Sequence, residues 1–409
     1  MAQNKHIFHQ GIVMTFLLIA FGCEKEIIPI LPELPEEVRY LSIAHNSSSN
    51  TIISNGVNQI YFTVTAYDAD HKKMPNLNTV TLNKIKIQVN GPNELGYPFV
   101  FKTTEKGKYT FTVKGLSSDA DVSGPVNILA IEDQNYEAVT LPVIFHYVAS
   151  GLTDNLRMQL RSQFSRDIDE VNKAFKNLLG SKDPNAASSN IQFVLADKDP
   201  EGNPLELKGF HEVYSMEKSF GTYQNSTIDN LVWDGNFWSP KKFINVWIVK
   251  LDDNRSWAYF PPLNSTIGSF PTTTYGVVYN QNHIYDPMVL AHELGHMLNL
   301  RHVFDDSCND PDLCNDTWAY KRKTTDADTQ WRLTRKTCDE ITFVANNYMD
   351  YYPSQNTTFS LEQVIRMQRT LEYCAFLPTE KNILNGKVAT VPYSNLEMKR
   401  EKDIPHRVI

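Results

Sequence analysis

The sequence predicts a multidomain fold in which an N-terminal immunoglobulin-like β-sandwich precedes an α+β unit of the α/β/α kind. Three observations lead there. The runs at 60–66, 85–89 and 109–113 alternate apolar with polar residues, the period of half-buried strands. Beyond Leu152 the period becomes helical: Leu156, Leu160, Phe164, Ile168, Val171, Phe175 and Leu178 recur every three or four residues up to Gly180. The stretch Phe243 to Leu251 is an almost unbroken apolar run, as in a strand buried on both faces. At 409 residues the chain is long enough for two to three domains. Its 41% apolar and 21% charged residues are ordinary for a globular protein, while a net charge of −8 and the lack of any basic tract exclude a nucleic-acid partner.

The elements follow in chain order. Lys5, His6 and His9 precede the apolar stretch Gly11 to Gly22, too short for a stable transmembrane helix and suited to a signal-peptide core, so residues 1–22 read as a signal peptide. The tetrad Ala20-Phe21-Gly22-Cys23 resembles a bacterial lipobox with Ala where Leu is more usual; Cys23 is the candidate lipidation site, a buried or disulfide-bonded Cys23 being the alternative. Residues 23–37, with Pro29, Pro32 and Pro35, read as a lipid-anchored, stiff, extended spacer, which places the protein on a bacterial outer membrane or cell surface. Residues 38–149 form the expected sandwich, about seven strands divided by turn clusters such as Asn90-Gly91-Pro92-Asn93. By default it is a spacer. Residues 150–392 form the second domain and 393–409 a peripheral tail. Within that domain, strands are expected at 191–196, 243–251 and 276–279, Asp286-Pro287 caps and starts a helix, and Ser360-Leu361-Glu362-Gln363 opens a final helix with a capping box.

The chemistry lies in His292-Glu293-Leu294-Gly295-His296-Met297-Leu298-Asn299-Leu300-Arg301-His302. At about 100° per residue, His292 and His296 lie about 40° apart and one turn up, so both imidazoles reach one metal. Glu293 is turned about 100° away, beside the metal, where it can take a proton from a zinc-bound water. His302 would lie about 15 Å off on another face if the helix continued. The helix must therefore stop near Asn299, a residue that tolerates the left-handed conformation of helix ends. Three imidazoles leave one position open, the arrangement of a catalytic zinc.

The motif, followed by Asn346-Asn347-Tyr348-Met349-Asp350-Tyr351, resembles the metzincin metalloproteases, whose pattern is HExxHxxGxxH and then a Met-turn. With Arg301-His302-Val303-Phe304, it is most similar to the pappalysin group and to metalloproteinase lipoproteins of Gram-negative bacteria. Asn299 stands where that family has Gly. The resemblance implies an α+β metzincin domain acting as a zinc endopeptidase on extracellular polypeptides, with zinc on His292, His296 and His302 and Glu293 as general base. It implies Met349 as a packing floor under the metal, Tyr351 as a phenol that reaches the metal or the developing oxyanion, and the segment Trp257-Ala258-Tyr259 as an edge strand that binds substrate by β-augmentation. Plain packing is the alternative for Tyr351 and for the strand.

Apart from Cys23 the cysteines are Cys308, Cys314, Cys338 and Cys374, an even number after the motif in an exported chain, so two disulfides are expected. Spacing leaves their connectivity open, and a second metal cluster is the alternative. The resemblance favours Cys314 with Cys338 and Cys308 with Cys374. In the acidic segment that holds Asp305, Asp306, Asp310, Asp312 and Asp316, the family sometimes binds calcium; a solvated acidic loop is the other reading. A monomer is expected. The competing function is a surface adhesin or glycan-binding lipoprotein with a weak or vestigial zinc site.

Overall fold

The computed structural model describes residues 38–114, 121–222, 236–261, 275–305, 308, 312–322 and 332–379. The signal peptide, Cys23, the Pro-rich spacer and the tail lie outside them. Among the described residues no helix is long and apolar enough to cross a membrane.

Nine strands build the first domain: β1 (Tyr40–His45), β2 (Thr51–Ile53), β3 (Ile60–Tyr67), β4 (Lys86–Val89), β5 (Asn93–Leu95), β6 (Val100–Phe101), β7 (Gly107–Lys114), β8 (Asp121–Val122) and β9 (Val126–Ile131), with a short helix α1 (Thr79–Leu82) between β3 and β4. They form a four-stranded sheet, β6-β3-β1-β8, and a five-stranded one, β2-β9-β7-β4-β5. The alternation read from the sequence is what joins them: Phe62 and Val64 from one sheet, and Ile87, Val89, Phe111, Val113 and Ile128 from the other, enclose a single core. The pairing β1 with β3 is antiparallel, whereas β1 with β8 and β2 with β9 run parallel.

The second domain begins earlier than the expected boundary at 149. Strand β10 (Val139–Ala149), assigned from sequence to the sandwich, is central to a six-stranded sheet in the order β11-β10-β13-β15-β14, in which β10 also pairs β12. Its middle residues Val143 to Phe145 are fully buried, so it belongs to a covered sheet rather than a half-exposed one. Its partners β11 (Ile191–Leu195), β12 (Phe210–Tyr214) and β13 (Ile244–Val249) are parallel to it, and β15 (Val277–Asn280) is parallel to β13. The short β14 (Trp257–Ala258) closes the edge antiparallel to β15.

The 22-residue α2 (Asp154–Phe175) is capped by Thr153 and packs Leu160, Phe164, Ile168 and Val171 onto one face of this sheet, together with α3 (Pro287–Met297) and α4 (Leu361–Tyr373). Neighbours along β13 alternate faces: Val246 and Ile248 join that core, while Trp247 and Val249 join a second cluster with Phe220 and Trp257. Among the described residues no helix covers this second face, so the expected α/β/α layering appears as a helical layer, a sheet and a cover of irregular chain. The remaining strands are the pair β16 (Phe304–Asp305) with β17 (Tyr320–Lys321) and the hairpin β18 (Thr334–Lys336) with β19 (Thr342–Val344).

The sandwich is fastened to this unit. Asn58, fully buried, donates both amide hydrogens to the carbonyls of Pro184 and Ala186, Thr51 donates to Asn185 Oδ1, and Ser48 donates to the carbonyl of Asp316. Ile53 of β2 is packed within the core of the second domain. These hydrogen bonds and the Ile53 packing tie the two domains together.

Candidate active site

The active-site helix α3 starts at Pro287 after the cap Asp286, whose carboxylate accepts from the Met288 amide at 3.2 Å, and its residues from Leu290 to Met297 are buried without a break. Its end is built as expected. Asn299 has a φ of +73°, its amide bonds the carbonyl of His296 at 2.8 Å, and the Leu300 amide bonds the carbonyl of Gly295 at 2.9 Å. This is the paired closure that a left-handed residue makes after a helix. Asn299 is held from outside as well, because Arg366 of α4 donates to both its carbonyl and its side-chain oxygen. Replacing Asn299 with Ala is expected to lower stability by about 1–3 kcal/mol through left-handed strain and the lost hydrogen bond, and Asn299→Gly by less, because glycine keeps the turn. Thermal melting of the two variants checks the order.

The turn returns His302 to the helix. The Nε2 atoms of His292 and His296 are 3.0 Å apart, that of His302 is 3.1 Å from His296, and the three residues form the one metal-capable group among the described residues. Their orientation is set by the other nitrogen. Nδ1 of His292 donates to the carbonyl of Tyr348 at 2.6 Å, and Nδ1 of His296 to the carbonyl of Leu300 at 2.7 Å. Burial drives all three pKa values down, that of His292 to about 4 and those of His296 and His302 well below the ordinary range, so the rings are neutral. Neutral rings that donate through Nδ1 present lone pairs at Nε2, and lone pairs converging at about 3 Å repel unless a cation lies among them. Three neutral imidazoles form a donor set that suits zinc.

Around this cluster, Glu293 is fully buried on the same helix. Met349, also fully buried, lies under it: its Sδ would be 2.6 Å from a Cβ at position 295, so Gly295 is what lets the Met-turn come this close. The Met349 amide is pinned at 2.8 Å by the Asn347 side chain, and its carbonyl accepts from the Val303 amide. The Tyr351 ring stands 4.9 Å from that of His302, with the guanidinium of Arg322 4.3 Å from its centre. Trp257 and Ala258 form the edge strand β14, Tyr259 extends it by an amide bond to Gly276, and the ring of Phe260 is 5.6 Å from His296.

Sequence reasoning missed several partners. The carbonyls of Leu300 and Tyr348 carry no residue-type signal. Phe304, stacked on His302 at 4.9 Å, lies two residues beyond it in sequence, but the contact depends on the turn. Arg366 is far along the chain and gave no sign at all.

The expected disulfides need correction. Cys308 pairs with Cys338, while Cys314 and Cys374 are buried and take no part in that bridge, so the pairings Cys314 with Cys338 and Cys308 with Cys374 do not form. Cys374 caps α4 with its sulfur 3.8 Å from Tyr275 Oη, and Cys314 turns toward the carbonyl of Asp312; each thiol has its own pocket, and burial raises both pKa values, that of Cys374 to about 11. The described acidic side chains are engaged in hydrogen bonds: Asp312 accepts from Cys314 and Thr317, and Asp316 from Ser360 and the Glu362 amide. Asp306 and Asp310 lie outside the described residues.

Residues 223–372 match the family model described as Peptidase M43, pregnancy-associated plasma protein-A. This region is a pappalysin-like metzincin peptidase domain. The match covers less than half of the chain and holds the His cluster, Glu293 and the Met-turn. No curated protein matches. Among solved structures, mirolysin in complex with a compound is similar at 24% identity over 57% of this chain and 91% of its own, with a TM-score of 0.43. Mature mirolysin of Tannerella forsythia in complex with a cleaved peptide is similar at 23% identity over 57% of this chain and 92% of its own, with a TM-score of 0.42. The pappalysin-like domain is an enzyme, a metalloprotease.

Proposed function

We propose that the protein is a zinc-dependent endopeptidase that cuts extracellular polypeptides, with His292, His296 and His302 holding the zinc. One observation carries this: three neutral imidazoles, two of them oriented by backbone carbonyls, converge through Nε2 beside a buried carboxylate. Zinc, when bound, supplies a Lewis acid that polarises the scissile carbonyl and acidifies water. Glu293 is the base that takes a proton from the attacking water and returns it to the leaving amine. Tyr351 donates toward the developing oxyanion, its ring held beside His302 by Phe304 and Arg322. The edge strand at Trp257, Ala258 and Tyr259 receives the extended substrate through backbone hydrogen bonds.

A lipid anchor at Cys23 and a cell-surface location complete the proposal, carried by the N-terminal sequence. Calcium forms no part of the proposal. The full chain is expected to cleave an unfolded protein such as denatured casein, to lose that activity on removal of metal with 1,10-phenanthroline, and to recover it with zinc. Cleavage that survives complete metal removal refutes the reading.

A further inference from the structure

A groove of about 490 Å³ runs along the seam between the two domains. Tyr61 and Asn46 of the sandwich wall one side and the β18–β19 hairpin the other, with Trp318 and Phe343 stacked, 5.5 Å between ring centres, in its lining. The hairpin's hydrogen bonds settle which way its backbone faces. The Thr337 amide donates to Ile341 and the Ala345 amide to Leu333, each at 2.9 Å. In an antiparallel pair this alternates with a period of two, so the N–H and C=O groups of Thr342 and Val344, two residues that line the groove, point away from β18. Among the described residues no strand pairs with that edge. Large apolar side chains are exposed around it: Ile341 at 49%, Val344 at 43% and Tyr61 at 39%.

We propose that this groove is a second binding site for the polypeptide substrate, in which an extended segment adds as a strand to the outer edge of β19 and lays apolar side chains between Tyr61 and Val344. The proposal rests on the peptidase reading above. Repeating backbone donors and acceptors along an open edge are complemented by another extended backbone, whatever its sequence, and apolar flanks select its side chains. The walls are held in place, because the Gln59 amide of the sandwich donates to the Lys182 carbonyl at 3.0 Å and Asn346 donates to Asp183 at 2.9 Å. The groove also connects to the active site through packed rings. Trp318, Phe343, Tyr320, Phe304 and His302 follow one another with no ring spacing above 5.7 Å. A substrate that occupies both sites must reach beyond the stretch held at the active site. Long unfolded chains therefore gain from the groove and short peptides do not.

Val344→Pro tests this in the full chain. Proline deletes the outward N–H and leaves the pairing with β18 intact, a substitution that edge strands accept. With denatured casein as substrate, KM is expected to rise about five- to tenfold at unchanged kcat, while a six-residue peptide taken from a casein cleavage site is cut as by the parent. Ile341→Asp and Tyr61→Ala, which act from opposite walls and leave the backbone alone, are expected to move KM the same way. Unchanged KM for casein in all three variants, or equal losses on both substrates, overturns the proposal. Should the parent cut neither substrate, the peptidase reading fails and the groove is decided by binding: fluorescence anisotropy of labelled denatured casein should show about five- to tenfold weaker binding to Val344→Pro, and equal binding overturns it.

Discussion

Glu293→Gln is expected to remove peptide-bond cleavage, lowering kcat by about 10²- to 10⁴-fold, while the protein keeps its zinc and its fold. The reasoning is geometric before it is chemical. Glu293 follows His292 directly, so it leaves the helix about 100° away from that imidazole, beside the place proposed for the metal. It is fully buried, in the same unbroken buried stretch that seats His292 and His296. Glutamine matches it in volume and hydrogen-bonding length but cannot take a proton at neutral pH, so the substitution deletes the base and little else. Stability should be equal or slightly higher, because a buried carboxylate gives way to a neutral amide. Undiminished cleavage of denatured casein would sink the assignment of Glu293.

His302→Ala is expected to have the larger effect on the metal itself. His302 reaches the cluster only because the chain reverses at Asn299, and its ring packs against Phe304 and Tyr351, each at 4.9 Å. Truncation deletes one of three donors and removes a ring contact from both Phe304 and Tyr351. Losses among groups that merely orient ligands cost 10- to 100-fold in metal affinity, so loss of the ligand should weaken zinc binding by at least about 100-fold, and cleavage should fall with it. Melting should drop by the equivalent of about 1–3 kcal/mol from the ring contacts. A zinc enzyme that used a distant carboxylate as its third ligand would keep its metal in this variant.

The site was legible in the sequence to the extent that helix geometry alone determines it. Three imidazoles at fixed spacing and a residue tolerant of positive φ suffice to require the chain reversal found at Asn299, and with a carboxylate one residue along they propose one metal and one base. The partners that orient the rings were invisible. The carbonyls of Leu300 and Tyr348 belong to no residue type, and Arg366, which holds Asn299 in place, sits 67 residues beyond it. In the fold, alternation gave the sandwich strands but misplaced β10, since an apolar run at the end of a β-rich stretch looks continuous with it, and only burial on both faces assigns it to the next sheet. The cysteines show the same limit: an even number after an export signal suggests two bridges, yet Cys314 and Cys374 each settle into a buried pocket and only Cys308 and Cys338 meet. Which thiols approach is a property of tertiary structure that spacing does not carry.

Zinc content per chain, measured by inductively coupled plasma mass spectrometry on the parent, Glu293→Gln and His302→Ala proteins purified side by side, tests the central claim most directly. One equivalent in the parent and in Glu293→Gln, with casein cleavage in the parent alone, and most of the metal gone from His302→Ala, is the predicted result. A full equivalent of zinc in His302→Ala, or cleavage by Glu293→Gln at the parental rate, would contradict it.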